Sequence, residues 1–492
     1  MRHPDSLEFS ATETRQLIDA VAERIAHQIR TLPGQPVDTA GEVSAELVRS
    51  FREGLPESAT DFDELLNLIF DKAAPAGLNP TSPGFMGYVP GGGLFHAALA
   101  DLISNTLNRY VGVTMVAPAF VQIEANVLRW FSEIIGYPEQ ARGFLTSGGS
   151  MATLSALITA RHVRLGEDFS KAVIYLSDQI HHCLNKAARL AGFPASALRV
   201  LPADEAFRLD PDALRKAMAE DRSRGLEPFM IAASAGTTNT GAIDPLPELA
   251  AMAREEHLWF HVDAAYGGFF CLTERGKQKL KGLEMADSVV LDPHKSLFLP
   301  YGTGALLVRE GRHLKATHSS GADYMPMLQE GDELMDFCEL SPELTRPFRG
   351  LRVWLPMKMH GVGVFRDYLD EKLDLADWIQ QQIAQLPELE IIAPAELSIM
   401  AFALRDTFGT LENRNTATRN LMSFINKQQR VSLTGTTVRG LFVIRIAVLV
   451  YRVHQERMEM LLEDLKAGLA AMVLGAADSP KVTLRGKPGN RS

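Results

Sequence analysis

Between about Leu94 and Phe365 the chain alternates short apolar runs with longer stretches of helical spacing. The runs Ala172 to Leu176, Phe229 to Ala233, Leu258 to Val262, Ser288 to Leu291 and Ala305 to Val308 carry few polar residues. Strands without a polar face must be covered on both sides, and a helix between consecutive strands returns the chain to the same edge. The pattern predicts an α/β architecture: a large, mostly parallel sheet with helices on both faces. In such a sheet ligands bind at the carboxyl ends of the strands, so the residues just after each run are the candidates for chemistry.

The flanks read differently. Ser10 and Glu13 form a capping-box pattern before an amphipathic helix carrying Leu17, Val21, Ile25 and Ile29, which stops by Pro33. That helix has no core of its own nearby, so its stripe is expected to pack on something distant, a second subunit being the candidate. The Pro- and Gly-rich section Asn79 to Gly93 marks a boundary. Beyond Gly363 come a charged helix (Phe365 to Gln385), strand candidates near Glu390 to Ile392 and at Ile399 to Leu404, a helix around Asn415 to Lys427, a strand at Phe442 to Val448 and a last helix from Gln455. The expected organisation is an N-terminal helical segment over residues 1–93 exchanged between two subunits, a large domain over 94–365, a small C-terminal α+β domain over 366–478, and a disordered tail over 479–492.

Composition narrows the ligand. Fifty basic against sixty acidic side chains leave a net charge of -10, which argues against a nucleic-acid or basic membrane-surface role and for a small molecule. The three cysteines are odd in number and far apart, which suggests neither a disulfide framework nor a zinc cluster and fits a reducing cytoplasm. No apolar signal core opens the chain, and the most apolar run, Leu441 to Tyr451, is interrupted by Arg445, so no membrane span is expected.

Four clusters fall at strand ends. Thr146-Ser147-Gly148-Gly149-Ser150 is a glycine turn into a helix start, which aims backbone N–H groups and the positive dipole end at an anion such as phosphate. Alone it is a common structural helix start. His181, in Ser177-Asp178-Gln179-Ile180-His181-His182, sits after the run ending at Leu176; the adjacent His182 reads as structural, and the pair lacks metal-site spacing. His261-Val262-Asp263-Ala264-Ala265-Tyr266 ends a run with a carboxylate among residues small enough for a flat ring to approach. Asp292-Pro293-His294-Lys295 follows the next run. A lone lysine there is usually a solvated loop charge, but an imine-forming lysine and an aspartate able to hold a cation opposite it are what an enzyme built on pyridoxal 5′-phosphate (PLP) needs. A cationic His294 beside Lys295 is expected to lower its pKa toward the free amine.

Taken with Ala152-Thr153, Gly236-Thr237-Thr238, Gly241-Ala242-x-Asp244, Arg346-x-Phe348-Arg349, Trp354 and Arg445, these motifs resemble the group II PLP-dependent amino-acid decarboxylases, the family of aromatic-L-amino-acid, histidine and glutamate decarboxylases. The resemblance covers most of the chain. It implies the PLP-dependent transferase fold of type I, a cytoplasmic homodimer with shared active sites, and no metal. It also implies that Lys295 carries the cofactor as an imine and Asp263 pairs with the pyridine nitrogen. His181 would stack on one ring face and Ala265 lie against the other, with Gly149, Ser150 and His294 at the phosphate and Thr238 near the ring. Tyr324, in the weakly patterned stretch Ala316 to Pro342, would be the loop tyrosine that protonates the substrate carbon; a packing tyrosine is the bland alternative.

Two positions depart from the resemblance. Asp292 stands where the animal enzymes carry asparagine; it is kept among the cofactor-binding residues, although its charge would repel a phosphate unless a proton or water intervenes. Gly91 stands where aromatic-substrate enzymes often carry a hydroxyl. Tyr110, Val111, Val113 and Met115 suggest an apolar substrate pocket lined by segments 85–93 and 110–117. The expected reaction is decarboxylation of an L-amino acid, aromatic by this reading, to a primary amine and carbon dioxide. The alternatives are an aromatic aldehyde synthase, an acidic amino-acid decarboxylase, another fold type I lyase or transaminase, and a PLP-fold binding protein without catalysis.

Overall fold

The computed structural model describes residues 7–319 and 336–475. Its larger sheet comprises β1 (Arg142–Thr146), β2 (Ala172–Ser177), β3 (Leu198–Leu201), β4 (Glu227–Ser234), β5 (Trp259–Asp263), β6 (Ser288–Leu291) and β7 (Gly304–Val308). The seven strands lie in the order β1-β7-β6-β5-β4-β2-β3. Only β7 runs against its neighbours; the remaining pairs are parallel. Every residue of β2, β6 and β7 is buried, as two helical layers require of runs without a polar face.

Two strands of this sheet escaped the sequence pattern. β3 is an edge strand of four residues with Val200 half exposed, so it lacks a continuous apolar run. β1 contains Gly143, whose missing side chain lets it lie against the Leu306 carbonyl of β7.

A second, antiparallel sheet is built from β8 (Leu389–Ala393), β9 (Ile399–Leu404), β10 (Thr434–Val438) and β11 (Leu441–Ala447) in the order β10-β11-β9-β8. β10 reads Thr-Gly-Thr-Thr-Val and carries no apolar run. Its hairpin partner fixes it: Val438 pairs with Leu441 across Arg439-Gly440, both at positive φ as a two-residue hairpin turn requires.

The helix expected from Phe365 begins earlier. It spans Gly350–Ala384 as two helices joined across a kink at Gly361, where φ is 74°. Its first part packs Leu351 and Val353 on the large sheet's core; its last turns place Leu375, Ala376, Ile379 and Ile383 in the small sheet's core. The N-terminal segment also joins the small sheet. Val37, Phe85 and Met86 belong to that core, and Met86 exchanges hydrogen bonds of 3.0 Å with Ser432 and Ala447. The Ala11–Thr31 helix carries the expected capping box but buries none of its residues.

Asp244 ties β4 to the chain ahead of it. Its carboxylate accepts the N–H groups of Leu209 and Ser234, each at 2.7 Å, and burial raises its pKa to about 6. Asp244→Ala leaves both buried donors unpaired, at roughly 1–3 kcal/mol each, so a loss of about 2–6 kcal/mol is expected in denaturant unfolding followed by circular dichroism. An unchanged midpoint would show that water replaces the carboxylate.

Candidate active site

Five strand ends converge on one cavity of about 370 Å³. Each of β1, β2, β4, β5 and β6 contributes residues just beyond its last hydrogen-bonded position. Of the residues proposed from sequence, Gly149, Ser150, His181, Thr238, Asp263, Ala265, Asp292, His294 and Lys295 all line it. Tyr324 lies outside the described residues, as does the 479–492 tail.

After β1 the chain turns at Gly148 and enters the Gly149–Arg164 helix with no side chain capping its N-terminus. Thr146 closes the turn, its hydroxyl donating to the Gly148 carbonyl at 3.0 Å. The first turn of this helix therefore presents backbone N–H groups and a positive dipole end at the cavity wall.

Asp263 is the last residue of β5, and its Oδ1 accepts the Ala265 N–H at 3.1 Å, which sets the carboxylate's angle. Lys295 rides on the short helix Pro293–Ser296, its Nζ 3.1 Å from Asp292 Oδ2. Burial would lower the Lys295 pKa, but Asp292 and Asp263 outweigh it, and the ammonium is held above its ordinary value. This corrects the expectation of a lysine depressed by a cationic neighbour. Burial keeps His294 below its ordinary value instead, so the neighbour is neutral and the aspartates dominate.

His181 is also lowered, by burial first, with Asp263 opposing. Its Nδ1 accepts the Cys183 N–H at 3.3 Å, which leaves the ring proton on Nε2. A neutral imidazole of fixed tautomer is suited to lie against a flat ring. His261, on the same strand as Asp263, turns out to be buried structure: its Nδ1 meets the Ser288 hydroxyl at 2.8 Å, and burial pushes its pKa to about 4.

Several wall residues were not among the candidates. Ser147, Gly148, Gly236, Thr237 and Tyr266 stood inside the motifs, but nothing in their spacing said that they face the same space. Cys183 had one usable signal, its position two residues after His181. Arg445, behind the wall, stood in the sequence only as part of the family resemblance, because its contacts come from two distant segments. Its guanidinium donates to the carbonyls of Thr238, Asn239 and Tyr88, with no carboxylate in ion-pair range among the described residues, and burial lowers its pKa to about 10.

Segments 85–93 and 110–117 do not reach this cavity within one chain. Val111 and Val113 are buried in the core, while the Tyr110 hydroxyl donates to the Leu344 carbonyl. At Gly91 a Cβ would stand 2.8 Å from the His294 carbonyl and 3.0 Å from the Tyr301 ring, so the backbone there is closely packed.

The walls fit PLP at each polar end. The uncapped helix start suits its phosphate, Asp263 can face a pyridinium nitrogen, Lys295 supplies the amine for its aldehyde, and Ala265 and His181 leave space for a flat ring. A half-buried lysine and a strand-end carboxylate around such a cavity define an enzyme of the pyridoxal-phosphate class. The pyridoxal-dependent decarboxylase conserved domain matches residues 45–405. An aromatic-L-amino-acid decarboxylase of Bacillus atrophaeus is 32% identical over 468 residues, 94% of this chain and 97% of its own. A phenylacetaldehyde synthase of Arabidopsis thaliana is 31% identical over 415 residues, 80% and 84% of the two chains. The crystal structure of Oryza sativa TDC with PLP and tryptamine superposes with a TM-score of 0.89 at 26% identity, covering 96% of this chain and 100% of that one. The chain belongs to the pyridoxal-dependent decarboxylase family. It is a PLP-dependent amino-acid decarboxylase with the fold the sequence motifs implied.

His181, Cys183 and Asp263 bring potential ligand atoms within 4.8 Å of one another. Burial pushes the Cys183 thiol up to about 12, however, and that of Cys271 likewise to about 12. Neither is a nucleophile at neutral pH. Alkylation of the native protein at pH 8 followed by peptide mass spectrometry is expected to leave both unmodified, and denaturation to expose both; native labelling of Cys183 would contradict its buried placement.

Proposed function

We propose that this enzyme decarboxylates an aromatic L-amino acid to the corresponding primary amine. The observation that carries the reading is the convergence of Lys295, Asp263 and His181 on one cavity beside an uncapped helix start. The similarity to an aromatic-L-amino-acid decarboxylase and to a structure holding tryptamine supports the aromatic side chain.

When bound, PLP supplies an electron sink for the pair left behind as carbon dioxide departs. The chain's residues do the positioning. Asp263 would hold a proton at the pyridine nitrogen, and Lys295 would bond the aldehyde carbon. Gly149, Ser150 and His294 would bind the phosphate, and Thr238 would lie by the ring. His181 and Ala265 would clamp its two faces, which fixes the angle of the scissile bond to the ring. Tyr324 is the proposed donor of the proton that replaces the carboxylate.

A second copy of this chain is the proposed partner. The Phe95–Leu107 helix exposes Leu99, Leu102, Ile103 and Leu107 in a contiguous stripe, and the Ala11–Thr31 helix has no buried face in one chain. An unpaired apolar stripe of this kind marks an interface. Among the described residues no helix is long and apolar enough to cross a membrane. Three unpaired cysteines support a cytoplasmic setting.

Purified protein offered tyrosine, tryptophan, DOPA and glutamate is expected to release carbon dioxide from an aromatic substrate; turnover of glutamate alone would overturn the aromatic reading. Lys295→Ala should lose the visible absorbance of lysine-bound cofactor, and Asp263→Ala should cut turnover at least about a hundredfold. The similarity to an aldehyde synthase favours one second reading. Amine without peroxide from wild type, and aldehyde with peroxide from Tyr324→Phe, would separate the two. Light scattering of Leu102→Glu is expected to show a monomer where wild type is a dimer.

A further inference from the structure

Asp292 is an unusual group to find beside a phosphate-binding turn. It is buried, it does not cap the short helix that it precedes, and its Oδ1 has no hydrogen-bond partner among the described residues. It faces that turn directly: a Cβ on Gly149 would stand 3.0 Å from Asp292 Oδ2. His294 shares the wall, and a Cβ on Gly148 would stand 3.7 Å from its Cε1.

The tautomer of His294 follows from its neighbour. Nδ1 lies 2.6 Å from the Thr303 carbonyl, which can only accept, so Nδ1 carries a proton. The other nitrogen, Nε2, lies 3.7 Å from Asp292 Oδ2. In the neutral ring Nε2 is a bare acceptor and repels a phosphate oxygen. Only the doubly protonated ring offers a donor there.

We propose that His294 is a proton-coupled anchor for the cofactor phosphate: Thr303 holds one proton on Nδ1, the ring takes a second proton from solvent at Nε2 when the phosphate arrives, and Asp292 is the counter-ion that keeps the imidazolium. The proposal rests on the assignment of this cavity to PLP. It gives a reason for a carboxylate at position 292, since an amide there supplies no charge to pair with the ring.

The other groups around His294 do not replace Asp292. Burial holds the ring neutral beforehand, Asp292 opposes that, and Lys295 and Arg352 push the same way as burial. Arg352 is committed elsewhere, paired with Asp101 at 2.8 Å and donating to the Thr303 hydroxyl at 2.9 Å. The Tyr301 ring, 5.6 Å away, completes the enclosure. Asp292, whose Oδ2 also pairs with Lys295 Nζ at 3.1 Å, is the carboxylate on this face within reach of His294 Nε2, and its unpartnered Oδ1 leaves it capacity for a charged ring.

The test uses the cofactor-free full chain and two probes without the aldehyde, 4′-deoxypyridoxine 5′-phosphate and 4′-deoxypyridoxine, so that Lys295 forms no bond to either. Calorimetry at pH 8 in buffers of different ionisation enthalpy counts the protons taken up. Wild type is expected to take up about one proton with the phosphorylated probe and none with the other, and its affinity for the former to fall by up to about tenfold per pH unit as pH rises. His294→Gln should abolish the uptake, and Asp292→Asn should abolish it at pH 8 and restore it only at lower pH. Uptake that persists in His294→Gln, or that Asp292→Asn leaves unchanged, would overturn the proposal. Should Asp292→Asn not bind the probe, the His294→Gln result decides. Binding of the phosphorylated probe without uptake in wild type defeats the proton coupling alone, whereas no binding at all defeats the cofactor assignment with it.

Discussion

The parallel pairing of β4, β5 and β6 is the constraint on which the rest of the molecule depends. Their register puts Ser234 beside Asp263 and Asp263 beside Val290, so the three strands end together. Hydrogen bonding continues past the strands, with the Asp292 N–H donating to the Ala265 carbonyl. Asp263 and the Asp292–Lys295 turn are thereby held on adjacent strand ends. A slip of one residue would turn Asp263 to the other face of the sheet.

Burial then decides what those groups can do. The cavity holds two carboxylates, one ammonium and two imidazoles that burial keeps neutral. Its described charge is thus poor in cations for a site that accepts a phosphate. The helix start after Gly148 favours an anion at this wall, and the proposed protonation of His294 would add to it. Lys295 meanwhile is held as an ammonium by its aspartate neighbours, so it must surrender that pairing before it can act as an amine.

The small sheet is not an appendage to this chemistry. Arg445 of β11 holds the Thr238 carbonyl at the cavity wall together with that of Tyr88 from the N-terminal segment. Tyr266, next to Ala265, accepts the Ser398 N–H at 2.7 Å just ahead of β9. A shift of the small sheet would therefore be felt on both sides of the cofactor pocket, and the Gly350–Ala384 helix, shared by both cores, opposes such a shift.

The sequence by itself determined the layered α/β fold and most of the site. Runs buried on both faces have to be continuous and apolar, and in a parallel sheet functional groups collect at one edge, so Lys295, Asp263, His181 and the glycine turn could be read in order along the chain. Strands whose stability comes from a neighbour, β3 at the edge and β10 in its hairpin, could not, because no local pattern marks them. Only the tertiary structure decided the protonation of the site, since the states of Lys295 and His294 depend on desolvation and on carboxylates brought close by the sheet. It alone brings Asp292 and His294 to the glycine turn, for the Thr303 carbonyl that fixes the His294 tautomer and the turn that faces the carboxylate meet only when β1, β6 and β7 are paired.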